Sequence, residues 1–263
     1  MRSPTAPIAR STTPIIATID RPITLLGVWA HPDDEAYLSS ALMHRVVEAG
    51  GRVVLLSATK GELGGAADGG ELAERRADEL RTAMSALGVN DVRFLDYADG
   101  RCREADSAEA TRSIVDVIEA VEPDLIVTFG PDGITGHPDH IAVSRWTTRA
   151  AVVAGCRQLL YATMTAEFAR RHQDLHDDLG IWMDGGPRTI LSPDIAMHVV
   201  PTENERRAKA KALRAHASQT TSLIELIGDE TFDGWWVDEY FRKPTAYELG
   251  ARTSSGVGSW RLV

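Results

Sequence analysis

From Ile23 to Thr163 the chain alternates short apolar runs with longer amphipathic stretches, and this alternation restricts the fold more than any other feature. Strands alternating with helices of about 10–15 residues build βαβ units around a parallel sheet. The apolar runs are Ile23–Ala30, Val53–Ala58, Val92–Leu95, Leu125–Phe129 and Gln158–Thr163. Helical stretches separate them at Ala36–Ala49, Glu71–Leu87, Ala108–Val121 and His140–Gly155. The first and fourth runs are almost wholly apolar, as strands covered on both faces are. Right-handed crossovers then predict a Rossmann-like α/β fold: a parallel sheet of about five or more strands in the order 3-2-1-4-5, with helices on both faces. After Thr163 the pattern weakens to a strand over Asp194–Val200 and a helix over Glu203–Ala217.

With 263 residues, 43% of them hydrophobic, the chain can bury one large core. Residues 23–263 are expected to form a single domain, its C-terminal quarter a substrate-shaping annex. Residues 1–22 carry Pro4, Pro7, Pro14 and Pro22 and read as a flexible arm, not a secretory signal. The formal net charge is -10 and no basic stripe is present, which argues against nucleic acid as a partner. No stretch approaches the ~20 apolar residues of a membrane span. Cys102 and Cys156 lie far apart with no C-x-x-C, as expected of reduced thiols in a cytoplasmic protein. A homo-oligomer is compatible with all of this.

In such a sheet, ligands bind where the winding reverses, outside the carboxyl ends of the first and fourth strands. The first strand runs into Ala30-His31-Pro32-Asp33-Asp34-Glu35, and the fourth is soon followed by Gly136-His137-Pro138-Asp139-His140. In each segment a proline sits where a helix would begin, a position that tolerates its missing N–H. Residues three apart share a helical face, so His31 and Asp34 can point at one spot, as can His137 and His140. Imidazole and carboxylate donors suit zinc, and three protein ligands plus water make a catalytic site. The same donors also accept Fe2+. Helix N-termini help to keep Asp33 and Asp34 ionised. Either segment alone fits a helix cap and a turn; the pair, after neighbouring strands, points to a metal centre. A nucleotide-binding module would carry G-x-G-x-x-G after the first strand, where this chain has none.

These two motifs, with Gly130-Pro131-Asp132-Gly133 before the second, resemble those of the LmbE-like, GlcNAc-phosphatidylinositol de-N-acetylase family. The family includes mycothiol-pathway deacetylases and amidases. Weaker matches are Lys60-Gly61-Glu62, Arg76-Ala77-Asp78-Glu79-Leu80 and His216-Ala217-Ser218-Gln219, so that the resemblance spans about Thr24 to Gln219. It implies a Zn2+-dependent hydrolase that removes an N-acyl group, in most cases acetyl, from an amino sugar or glycoconjugate. An amidase acting on a larger N-acyl amide, such as a mycothiol-type thiol conjugate, is the alternative. It implies His31, Asp34 and His140 as metal ligands, Asp33 as general base and His137 facing the substrate carbonyl. Asp139 is then placed to orient a ligating histidine. Glu62, Arg76, Asp99 and His216 are the candidate substrate contacts.

The stretch Gly61–Gly70 lacks the ending of a phosphate loop, and its glycines suggest a lid over the site. His172 and His176 have i,i+4 spacing within a very polar run and read as a solvated helix face. Trp235 and Trp236 read as packing of the C-terminal region.

Overall fold

The apolar runs condense into the middle of one mixed sheet. The computed structural model describes residues 19–65, 69–156, 158–183, 186 and 188–250. Its strands are β1 (Thr24–Trp29), β2 (Arg52–Ser57), β3 (Asp91–Phe94), β4 (Leu125–Phe129), β5 (Leu159–Thr163), β6 (Met197–Val199) and β7 (Glu239–Arg242). Its helices are α1 (Asp34–Leu38), α2 (Ser40–Glu48), α3 (Gly69–Ala86), α4 (Ser107–Val121), α5 (Gly133–Gly136), α6 (Pro138–Val153), α7 (Ala166–Arg171), α8 (Gln173–Leu179), α9 (Glu203–Ala215), α10 (Ala217–Ile227) and α11 (Asp229–Gly234). Residues 1–18 of the expected arm and 66–68 of the expected lid lie outside the described residues. No described helix is long and apolar enough to cross a membrane.

The strand order is β3-β2-β1-β4-β5-β7-β6. The first five strands are parallel to one another, in the order the sequence predicts. Right-handed crossovers put α2 and α3 on one face of the sheet, and the reversal of winding puts α4 and α6 on the other. The packing agrees: α2 and α3 both pack on α9, whereas α4 packs on α6. At the sheet's centre Trp29 meets Phe129 edge to face, with ring centroids 4.8 Å apart.

Two differences from the sequence pattern share one cause. β7 inserts antiparallel between β5 and β6, so the sheet is mixed at this edge. The single helix expected over Ala36–Ala49 is broken at Ser39 into α1 and α2. The backbone N–H groups of Ala41 and Leu42, at the start of α2, donate to the two carboxylate oxygens of Glu239 on β7, at 2.8 and 2.9 Å. A carboxylate at a helix N-terminus satisfies N–H groups that have no partner within the helix. Lys209 of α9 completes the junction, donating to Glu239 at 2.8 Å and to the Tyr37 carbonyl at 2.7 Å. Both side chains of the pair are buried. The cap comes from 198 residues away, so no local pattern announces it.

The expectation of a solvated face at His172 and His176 fails. His176 is wholly buried and accepts a 2.9 Å hydrogen bond from Trp235 Nε1. Its ring is surrounded by Phe168, Trp182 and Trp236. The packing reading of Trp235 agrees with this, since Trp235 itself is buried.

Two stability measurements follow from these contacts. Glu239→Ala strands a buried ammonium and two helix N–H groups, and urea denaturation should show a loss of roughly 3–5 kcal/mol. Burial, reinforced by His172, pushes His176 from 6.5 down to about 4. The unfolded chain therefore takes up this proton first, and the associated stability is present above about 6.5 and drains away towards about 4. His176→Gln keeps an acceptor for Trp235 but cannot titrate, so its stability should fall less steeply than the wild type's across that window.

Candidate metal-dependent active site

β1 and β4 are neighbours, so the segments leaving their carboxyl ends meet above the sheet. From β1 the chain turns through Ala30–Asp33 into α1. From β4 it passes through α5 into α6, with His137 as N-cap and Pro138 in the first turn. His137 Nδ1 accepts from the Asp139 N–H at 3.2 Å.

Three electron-pair donors converge between the two segments. His31 Nδ1 and His140 Nε2 are 3.2 Å apart. The Asp34 carboxylate lies 3.6 Å from the first nitrogen and 3.3 Å from the second. The outer nitrogen of each ring decides what the inner one carries. His31 Nε2 faces carboxylate oxygens of Asp99 at 3.0 Å and Asp139 at 3.4 Å, so it holds a hydrogen. His140 Nδ1 donates to the Gly133 carbonyl at 3.0 Å. The inner nitrogens are thus left as lone pairs that face each other and a carboxylate. Such a trio needs a positive charge at its centre, supplied by a proton or by a metal ion. A divalent cation fits this donor set.

The electrostatics carry the same imprint. Burial alone would lower His31, but Asp139, Asp34 and Asp99 outweigh it and raise the imidazole well above its usual value. Burial alone would raise Asp34, but His140 and His31 hold it below the usual carboxylate range. Burial keeps His140 at about 4 against the pull of Asp34, with His31 and His137 adding to the fall.

A second gathering, His31 with Asp99 and Asp139, is also tight enough to hold an ion. Its carboxylates are already engaged. Asp99 accepts from Leu63 N–H at 2.9 Å, and Asp139 accepts from Gly100 N–H at 2.7 Å and Cys102 N–H at 3.1 Å. These two acids therefore orient His31 from behind, the role expected for Asp139. His137 also gathers with His31 and His140, their ligand atoms lying within 4.8 Å of one another. Its Nδ1 is taken by the Asp139 N–H, so its ring hydrogen belongs on Nε2, which has no partner among the described residues.

The loops that carry these groups are sterically demanding. His140 stacks flat on Phe129, with centroids 4.1 Å apart. Gly133 has φ +67°, and a Cβ there would lie 3.0 Å from the His140 Cβ. Ile134 follows at φ 61°, ψ -61°, and on the other loop Asp33 sits at φ 125°. For non-glycine residues each such conformation costs of order 1–3 kcal/mol and persists only where its surroundings enforce it. Asp33 lies beside the convergence point without joining it. Burial pushes its carboxyl up to about 6, against the lowering effect of Arg76.

The remaining expected residues fall into two groups. Glu62 is half-buried and accepts the Asp99 N–H through one oxygen. Arg76, only 4% exposed, donates to the carbonyls of Gly61 and Pro32, and its NH2 lies 3.3 Å from Asp33. Its guanidinium is therefore engaged by the loop that carries Asp33 and is not held out as the expected substrate contact. His216 departs most from expectation. It is fully buried behind the first loop, with Nε2 2.8 Å from Glu35, and offers no surface to a substrate. Sequence reasoning gave Glu35 no role, yet its other oxygen accepts the Asp33 N–H at 3.0 Å. The signal available was a carboxylate two residues after the candidate base.

The family model for PIG-L, GlcNAc-PI de-N-acetylase, matches residues 26–151, which include both candidate loops. A 1D-myo-inositol 2-acetamido-2-deoxy-alpha-D-glucopyranoside deacetylase of Kineococcus radiotolerans is 34% identical, covering 77% of this chain and 70% of that protein. A second enzyme of that name, from Catenulispora acidiphila, is 33% identical over 76% of this chain and 81% of its own length. The fold resembles that of an N,N'-diacetylchitobiose deacetylase from Pyrococcus horikoshii, with TM-score 0.55 and 20% identity, covering 83% of this chain and 82% of that one. With the family match across both loops and relatives 33–34% identical over about three quarters of its length, the chain belongs to the PIG-L (LmbE-like) de-N-acetylase family.

Proposed function

We propose that this protein removes the N-acetyl group of an N-acetylglucosamine-type sugar within a small glycoconjugate, with His31, Asp34 and His140 holding a zinc ion. The observation that carries the reading is the convergence of three electron-pair donors next to Asp33, a separate acid held on a strained backbone. The named activity of the relatives supports the same class of substrate. The ion would supply Lewis acidity, lowering the pKa of water from ~16 towards ~7 and polarising the acyl carbonyl.

The chain's own groups supply the proton transfers. Asp33 accepts a proton from the attacking water and returns it to the leaving amine. Arg76 steadies the Asp33 carboxylate. His137 donates its Nε2–H to the developing oxyanion, and it can do so as a neutral ring. Its pKa is in fact lowered, by burial and by His31. Glu62 keeps one carboxylate oxygen available for a sugar hydroxyl. Asp99 and Arg76 show little surface, so they would reach substrate only if the segment Gly61–Gly65 shifts. Cytoplasmic residence is inferred from Cys102 and Cys156, both free thiols.

Asp33→Ala should bind zinc as the wild type does, by elemental analysis, yet lose about 10²–10⁴-fold in kcat. Near-normal turnover would remove Asp33 from the mechanism. A panel of N-acyl amino sugars assayed for free amine, with and without a chelator, tests the reaction itself. Acetate release that stops on chelation and returns with zinc is expected. Preferential release of a bulkier acid would favour the amidase alternative, and turnover indifferent to chelation would overturn the metal assignment.

A further inference from the structure

Asp33 stands at the N-cap of α1, where an aspartate ordinarily folds its carboxylate back onto the first N–H groups of the helix. Here the side chain makes no such bond, although the Asp33 carbonyl accepts from Ala36 and Tyr37 and so starts the helix. At φ 125° the Asp33 N–H points away from the helix ladder and into Glu35, whose Oε2 accepts it at 3.0 Å. The second Glu35 oxygen lies 2.8 Å from His216 Nε2. Glu35 is 1% exposed and His216 is 0% exposed.

A buried carboxylate is costly unless both of its oxygens are satisfied. This one is spent on one strained peptide and one imidazole. His216 sits at the junction of α9 and α10, and its own carbonyl accepts from Gln219 N–H and Thr220 N–H. The ring is therefore anchored to a separate part of the molecule. The arrangement keeps only half of a capping box: the acid reaches back to the N-cap N–H, while the N-cap side chain is released.

We infer that Glu35 and His216 are positioning residues, a buried pair that holds the Asp33 peptide in its strained conformation and thereby aims the Asp33 carboxylate at the reacting water. The inference rests on Asp33 being the proton carrier proposed above. Both side chains are buried, and the two Glu35 oxygens are engaged by the Asp33 N–H and by His216. Arg76 holds the same loop from the other side, through Pro32 O at 2.6 Å and the Asp33 carboxylate.

The test compares the zinc-loaded wild type with Glu35→Ala, Glu35→Gln, Asp33→Ala and the double variant Asp33→Ala/Glu35→Ala. A misaimed catalytic group costs about 100-fold. Glu35→Ala should lose kcat on that order while KM and bound zinc stay at wild-type values. Glu35→Gln should recover most of the loss, because its amide oxygen can accept the Asp33 N–H and its NH2 can donate to His216. In the Asp33→Ala background, removing Glu35 should cost nothing more, since its only target is gone. A Glu35→Ala enzyme with wild-type kcat beside an inactive Asp33→Ala enzyme overturns this inference alone. A full Glu35→Ala loss that persists without Asp33 also overturns it, as it would mark a general structural role. Wild-type turnover in Asp33→Ala sinks the base assignment and this inference together. If Glu35→Ala does not fold, the Asp33 amide resonance in Glu35→Gln decides. The proton should move upfield on exchanging a charged acceptor for a neutral one, and an unmoved resonance overturns the proposal.

Discussion

Lone pairs that face one another across 3.2 Å repel unless something positive lies between them, and the architecture around His31 and His140 is organised by that requirement. Each inner nitrogen is bare because the outer one is committed, to Asp99 and Asp139 for His31 and to a backbone carbonyl for His140. Those acids are fixed in turn by N–H groups of Leu63, Gly100 and Cys102. The order of the centre is thus inherited from backbone conformation in loops after β2 and β3. Attraction between the buried acids and imidazoles outweighs the effect of burial, which is why His31 moves up and Asp34 down from their ordinary values.

The two loops solve the same packing problem in parallel ways. Each contains a non-glycine residue with positive φ, Asp33 on one and Ile134 on the other. Each is followed by a helix whose first turn carries a ligand candidate, Asp34 in α1 and His140 in α6. A relaxed turn would let these helices start in a different direction and separate the donors. The strain is held by neighbours that are buried and already partnered, namely Arg76, Glu35 and Phe129.

What the sequence discloses here is what depends on local order. The five parallel strands and their sequence follow from apolar runs and from the handedness of crossovers, and the two motifs follow from strand ends. The groups that remained hidden depend on distant partners. Ser39 looks like any helical residue until Glu239 arrives from β7. Arg76 sits among Arg75, Asp78 and Glu79, and its neighbours in sequence give no sign that it alone turns inward. His216 matched the family on a short motif, which did not reveal that its ring lies behind the loop. His176 looked solvated because the residues flanking it are polar, whereas the apolar rings that enclose it come from elsewhere in the chain. β7, only four residues long, shows no periodicity that could announce it.

The position of β7 also constrains how the molecule assembles during synthesis. β6 pairs within the sheet only through β7, and β7 supplies the cap for α2, which was made roughly 200 residues earlier. While the ribosome extends the chain, β1 to β5 can pair in turn, but α2 begins with two unpaired N–H groups and Lys209 lacks its counter-ion. Contacts of such long sequence separation form late, because loop closure must precede them. Closure of the sheet edge and capping of α2 are therefore one event, and it waits for residues 239–242 to emerge.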